Sequence, residues 1–236
     1  PTAIGQQGSG RIVVAGFGAA TSDQGHGAET ALLGLEETGV PDVNFSSGGA
    51  MGDGKCLRDW AYYSALLEGV QISDLAIEPG SDKLIVVGRG FDEATPTYAI
   101  AVQRMTSLCD RDAGFANSAG QLLYAFSDSS IPHEAHGVAL VPTLVSGVVV
   151  ASKIVVAGAV YETSSSSFDF GVLRLNPNGT SDSSFGGSGL GYRRIPWDMG
   201  DTSHDLGFDL ALQGDGKILI GGAVDTAAGG YDFGAV

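Results

Sequence analysis

The sequence predicts an all-β chain, a β-propeller of four-stranded antiparallel blades in repeats of about 70 residues with the last blade incomplete. Three observations carry this. First, the 236 residues include 37 glycines and only 17% charged residues, with no long run of helix formers showing apolar residues every three to four positions. Second, a basic residue, a short apolar run and a glycine recur in "RIVVAG", "KLIVVG", "KIVVAG" and "KILIGG", which start at Arg11, Lys83, Lys153 and Lys217. Third, "DVNF", "DAGF" and "DSSF" place Asp42, Asp112 and Asp182, with Phe45, Phe115 and Phe185, at two equal intervals of 70 residues.

Each unit reads as a meander. The innermost strand is the alternating segment "TAIGQQ", "DLAIEP", "GVALVP" or "DLALQG". The second is the run after the basic residue, apolar on both faces, so that neighbouring sheets must stack to hide it. The glycine five residues after each start, at Gly16, Gly88, Gly158 and Gly222, admits a close backbone or a bend. The third strand is "TALLGLE", "YAIAVQRM", "FGVLRLN" or the terminal "DFGAV", and the fourth follows the Asp/Phe landmark in "CLRDWAYY", "QLLYAF" and "GYRRIPW". The blades fall at about 1–70, 71–136, 137–207 and, in part, 208–236.

"FDFGVLRLNPNGTSDSSFGGSG" followed by "FDLALQGDGKILIGG" resembles the delta-60 repeat of bacterial secreted and cell-surface proteins, which is associated with β-propeller structure. The resemblance is sharpest from Phe168 onward. Gly34 stands where the other units have Arg104 and Arg174, and Cys109 takes the turn position of Gly39 and Gly179. The resemblance implies a secreted, periplasmic or cell-surface location and brings no catalytic motif.

The formal charge of −15 repels nucleic-acid phosphate, which excludes that partner. No apolar run reaches the length of a membrane span, and "PTAIGQQGSG" lacks the regions of a signal peptide, so Pro1 reads as a mature or trimmed start. "YDFGAV" repeats the opening of "FDFGVL" and stops inside a third strand. An unfinished sheet exposes apolar surface and an unpaired edge, so either the sequence is a piece of a longer chain or a partner completes the blade: a second polypeptide produced by processing, or another copy in a homo-oligomer. If processing is autocatalytic, the second chain begins with a Ser, Thr or Cys nucleophile.

Loops after second strands and between blades share one face, and that face collects all four histidines: His26, His133, His136 and His204. Asp74, Glu134, Asp201, Asp205 and Asp209 map there too, with Asp74 and Asp209 just before an innermost strand and near the channel mouth. Imidazole beside carboxylate binds divalent metal, with His133, His136 and His204 as ligands, or does acid and base work, with His136, His204 and Asp209 as candidates. The plainer alternative is that these are ordinary polar loop residues. No cofactor is otherwise indicated, because "GSGR" and "GDGK" lead into strands, unlike phosphate loops, and "DMGDTSHDLGFD" is no EF-hand loop.

"ALVPTLVSGVVVASK" predicts a long apolar hairpin turning at Ser146 and Gly147, either projecting from the opposite face and touching another chain or folding back over its own blade. Cys56 and Cys109 fall in corresponding regions of blades one and two; a bridge needs Cα atoms within about 7 Å, and rim spacing argues against it. The functional expectation is a secreted binding or scaffold module for a protein or carbohydrate ligand. The alternative is a secreted hydrolase that uses the His/Asp face or the new terminus.

Overall fold

The computed structural model describes residues 1–19, 28–46, 53–58, 70–92, 97–126, 132–187, 189–197, 204–226 and 230–236. They form four antiparallel sheets, each a meander with its strands hydrogen-bonded in chain order, and no helix occurs among them. The first sheet is β1 (Ala3–Gln6), β2 (Ile12–Ala19), β3 (Ala28–Leu35) and β4 (Lys55–Arg58). The second is β5 (Gln71–Ile77), β6 (Leu84–Asp92), β7 (Thr97–Met105) and β8 (Gln121–Tyr124). The third is β9 (His133–Val145), β10 (Val148–Glu162), β11 (Ser167–Leu175) and β12 (Tyr192–Ile195). The fourth has β13 (Leu206–Leu212), β14 (Ile218–Thr226) and β15 (Gly230–Ala235).

Strand alternation explains why the runs after the basic residues are apolar throughout. On β6, Leu84 and Val86 pack toward the first sheet while Ile85 and Val87 pack toward the third. On β10, Ile154 and Val156 face the second sheet and Val155 and Ala157 the fourth. The sheets therefore stack in chain order, with one apolar layer at each of three joints.

The glycine landmark has a local cause. β5, β9 and β13 each carry a bulge, at Ser73, His136 and Phe208, where pairing with the second strand shifts by one residue. The bulge pushes the carbonyls of Gln71, Glu134 and Leu206 against Gly88, Gly158 and Gly222, and a Cβ at any of these glycines would collide with them.

The basic and Asp/Phe landmarks are one structural staple. Arg11 meets Asp42 at 2.6 Å, Lys83 meets Asp112 at 2.8 Å and Lys153 meets Asp182 at 3.0 Å. Arg104 and Arg174 add ion pairs to Asp112 and Asp182 at 2.7 and 2.8 Å, and lie over the rings of Phe115 and Phe185. Gly34 has no such side chain because Phe45 fills the space where its Cβ would stand, and Arg11 alone covers that ring. The same loops join sheets: Arg104 donates to the carbonyl of Pro177, and the Ala116 N–H donates to Asn178 O at 2.8 Å.

Cys56 and Cys109 are bridged, with Cα atoms 6.5 Å apart, which corrects the expectation from rim spacing. Both are buried in the apolar layer between the first and second sheets. Cys109 takes the turn position of Gly39 and Gly179 with their left-handed backbone, φ 67°. The long hairpin forms, with Ser146 and Gly147 at positive φ as a two-residue turn between twisted strands requires. Leu144, Val145, Val148 and Val149 are exposed, and on one side the arm rests on Gly80 of the second sheet, where a Cβ would lie 2.8 Å from Val149 O.

Candidate functional site

The expected His/Asp face divides into two groups. His26 and Asp201 lie outside the described residues. His133 opens β9, fully buried, its ring 5.3 Å from that of Phe126. His204 lies just before β13, and its Nδ1 accepts the Phe168 N–H at 3.1 Å. The neighbouring Asp205 is buried; its Oδ2 accepts the Trp197 N–H at 2.9 Å, and its own N–H donates to Phe168 O. These contacts tie the link between the third and fourth sheets to the start of β11, which is a packing role.

The second group converges where the inner strands of three sheets come together. Glu134 accepts from Arg89 at 2.5 Å, and its other oxygen lies 3.5 Å from His136 Nε2. Arg89 also donates to Gln71 Oε1 at 3.1 Å and lies over the Tyr98 ring at 4.9 Å. His136 occupies the bulge of β9, and its ring meets that of Phe208, the bulge residue of β13, edge to face at 6.0 Å. The bulges re-aim both side chains out of the regular alternation.

Asp74 and Asp209 lie within β5 and β13 and flank the Gly137–Val138 segment of β9. Asp74 Oδ1 accepts the Leu75 N–H, and Oδ2 reaches across the joint to the Val138 N–H at 2.8 Å. A Cβ on Gly137 would stand 3.2 Å from Asp209 Oδ1.

Electrostatics sharpen the picture. Burial pushes the Asp74 carboxyl above its ordinary value; the two N–H donors oppose this, and the negative charge of Asp209 adds to it. Burial pushes the His136 imidazole down, with Glu134 favouring and Arg89 opposing its protonation. The imidazole of His136 is thus neutral at neutral pH.

Among the described residues, no group of three or more His, Cys, Asp or Glu side chains is placed to hold a metal ion. His133, His136 and His204 have different partners and do not form a shared ligand set. Chemically, the convergent group offers a cationic guanidinium, a carboxylate, a neutral imidazole and an exposed aromatic ring, which is equipment for holding a polar ligand.

Sequence reasoning missed Arg89 and Phe208. Arg89 follows the landmark Gly88, where the other units have Phe17, Ala159 and Ala223, so the departure from the repeat was the available signal. Phe208 had none, because a bulge is a matter of strand pairing.

A family model described as a domain of unknown function (DUF5122), β-propeller, matches residues 152–185 and 213–236. The match supports a β-propeller repeat family. It covers the second strand of the third unit through its Asp/Phe landmark, then the corresponding start of the fourth. No match to the chain was found among curated proteins. Among the described residues, no helix is long and apolar enough to cross a membrane.

Proposed function

We propose that the protein is a binding or scaffold module of the delta-60 repeat type that recognises a protein or carbohydrate ligand at the end of the sheets bearing Arg89, Glu134, His136 and Phe208. The observation that carries the reading is their convergence from three successive sheets, each side chain held by a partner or a bulge. An aromatic ring beside paired polar groups fits a sugar or a polar peptide side chain. The charge of −15 favours neutral or basic ligands over phosphate. The Cys56–Cys109 bridge supports a secreted, periplasmic or cell-surface setting, since such bonds persist under oxidising conditions. The partners of this reading are the ligand and a further chain at the exposed hairpin or the fourth sheet.

A glycan and basic-peptide array, followed by calorimetry on each positive, tests it. Glu134→Gln and Phe208→Ala should each weaken binding by tenfold or more while leaving the fold intact, a loss of about 1.4 kcal/mol. Positives that bind both variants like the wild type would place recognition elsewhere.

A hydrolase remains the second reading, favoured by the neutral His136 beside Glu134. It requires turnover that is lost in His136→Ala; a ligand bound and recovered unchanged supports the binding module.

A further inference from the structure

Gln71 and Glu134 hold the same position in successive sheets. Gln71 pairs with Arg89 and Glu134 with Ala159, each pair one step beyond the landmark glycine, Gly88 or Gly158. In the fourth sheet the corresponding pair is Leu206 and Ala223. Where Arg89 of the second sheet reaches Glu134 of the third, the next joint thus has Ala159 and Leu206, and the sheets stack there without an ion pair at these positions. The polar group at the second joint is therefore more than stacking requires, and such departures from a repeat mark functional positions.

One guanidinium ties the group together. Arg89 Nε donates to Gln71 Oε1 at 3.1 Å within its own sheet, and Nη1 donates to Glu134 Oε1 at 2.5 Å in the next. The Tyr98 ring lies 4.9 Å from the guanidinium and helps to hold it. Among the described residues, Arg89 Nη2 and Gln71 Nε2 make no hydrogen bond. Glu134 Oε2 has only His136 Nε2 at 3.5 Å, too far for a good one. Gln71 is exposed, and the side chains of Arg89 and Glu134 are partly so.

Two donors and one acceptor are thus left on planar side chains whose own charges cancel. A cationic ligand would have to take Glu134 from Arg89, and an anionic one would approach a chain of −15. A hydroxyl both donates and accepts, so two neighbouring hydroxyls match the free atoms without bringing charge. We infer that this group is a subsite for a neutral carbohydrate, one hydroxyl accepting from Arg89 Nη2 and its neighbour donating to Glu134 Oε2. Gln71 Nε2 donates to the same sugar, and Phe208, beside His136, offers its ring to the sugar's C–H face. The inference rests on the binding-module reading of the same site and narrows its ligand to sugar hydroxyls.

Calorimetry on the full chain tests it, with two sets of probes: neutral oligosaccharides of glucose, galactose and mannose, and peptides carrying Lys or Arg. At least one oligosaccharide should bind, with an affinity that does not change between low and high salt because the ligand is uncharged. Its deoxy analogues lacking either of two adjacent hydroxyls should bind tenfold or more weakly. Arg89→Lys, which keeps the charge but loses the fork, and Gln71→Leu should each weaken it by a similar factor with an unchanged circular dichroism spectrum. Should Arg89→Lys fail to fold, Gln71→Leu and the deoxy analogues carry the test. Peptides that bind and are lost in these variants, with no oligosaccharide bound, would overturn the inference and leave the binding site standing. An oligosaccharide bound equally by the wild type and both variants, or no binding by any probe, would overturn the inference and the site reading together.

Discussion

Phe170 and Phe233 are the same residue in the same register of successive sheets, yet one is the centre of a joint and the other stands in solvent. The difference teaches that burial here belongs to the neighbour and not to the sheet. Residues identical in sequence context gain their stabilising role only when a following sheet offers the paired glycines Gly207 and Gly222. Truncating both tests this most strongly. Phe170→Ala should cost about 3–5 kcal/mol, as buried phenylalanines do. Phe233→Ala should change the stability of the dilute monomer by less than about 0.5 kcal/mol. Urea unfolding of each variant checks the pair, and a large loss from Phe233→Ala would mean its face is covered within one chain.

The joints also differ in what holds them. Between the first and second sheets the apolar layer is reinforced by Cys56–Cys109, closing a loop across 53 residues, whereas the third and fourth sheets rely on packing and the His204 and Asp205 contacts. Reduction, or Cys56→Ser with Cys109→Ser, should cost about 2–4 kcal/mol, read as a lower thermal midpoint. Hydrogen exchange should rise in β1–β4 and stay unchanged in β13–β15. Equal loosening at both ends would show that the sheets unfold as one unit and that the covalent tie is not local in effect.

The contrast explains what could be read in advance. Strand order, the stacking of doubly apolar strands and the glycine landmark were legible because each is a local pattern repeated in register. The recurring basic and Asp residues were legible as positions, but their meaning as ion pairs needed the fold, since Arg11 and Asp42 are distant in sequence and 2.6 Å apart in space. The disulfide is not legible from blade spacing, because both cysteines lie in a buried apolar layer and not on the rim. His133 reads as a site residue in sequence because sequence shows residue type but not burial, and His204 because its bond from the Phe168 N–H needs the fold. Arg89 breaks the pattern at its position, and such breaks are where function can be sought in a repeat protein.

The smallest effect separates Asp74 from Asp209. Asp74→Ala leaves the Val138 N–H without its acceptor at a joint and should cost about 1–3 kcal/mol, while Asp209→Ala should be near neutral in the monomer. The pH dependence distinguishes them further. Because burial raises the Asp74 pKa above 3.8, the folded chain holds that proton more tightly than the unfolded one. Its contribution to stability therefore grows as pH falls through the raised value toward 3.8. Asp42, Asp112 and Asp182 work in the opposite sense: their pKa values are lowered, so the stability they give is present above 3.8 and is lost as pH falls below it. Asp182 is lowered by hydrogen bonds from Ser184, Lys153 and Arg174. A thermal scan from neutral pH downward should thus show the wild type gaining on Asp74→Asn before the staples protonate and both proteins fall together. A constant gap between the two would mean that Asp74 titrates as an exposed carboxylate and that the joint it spans is wet.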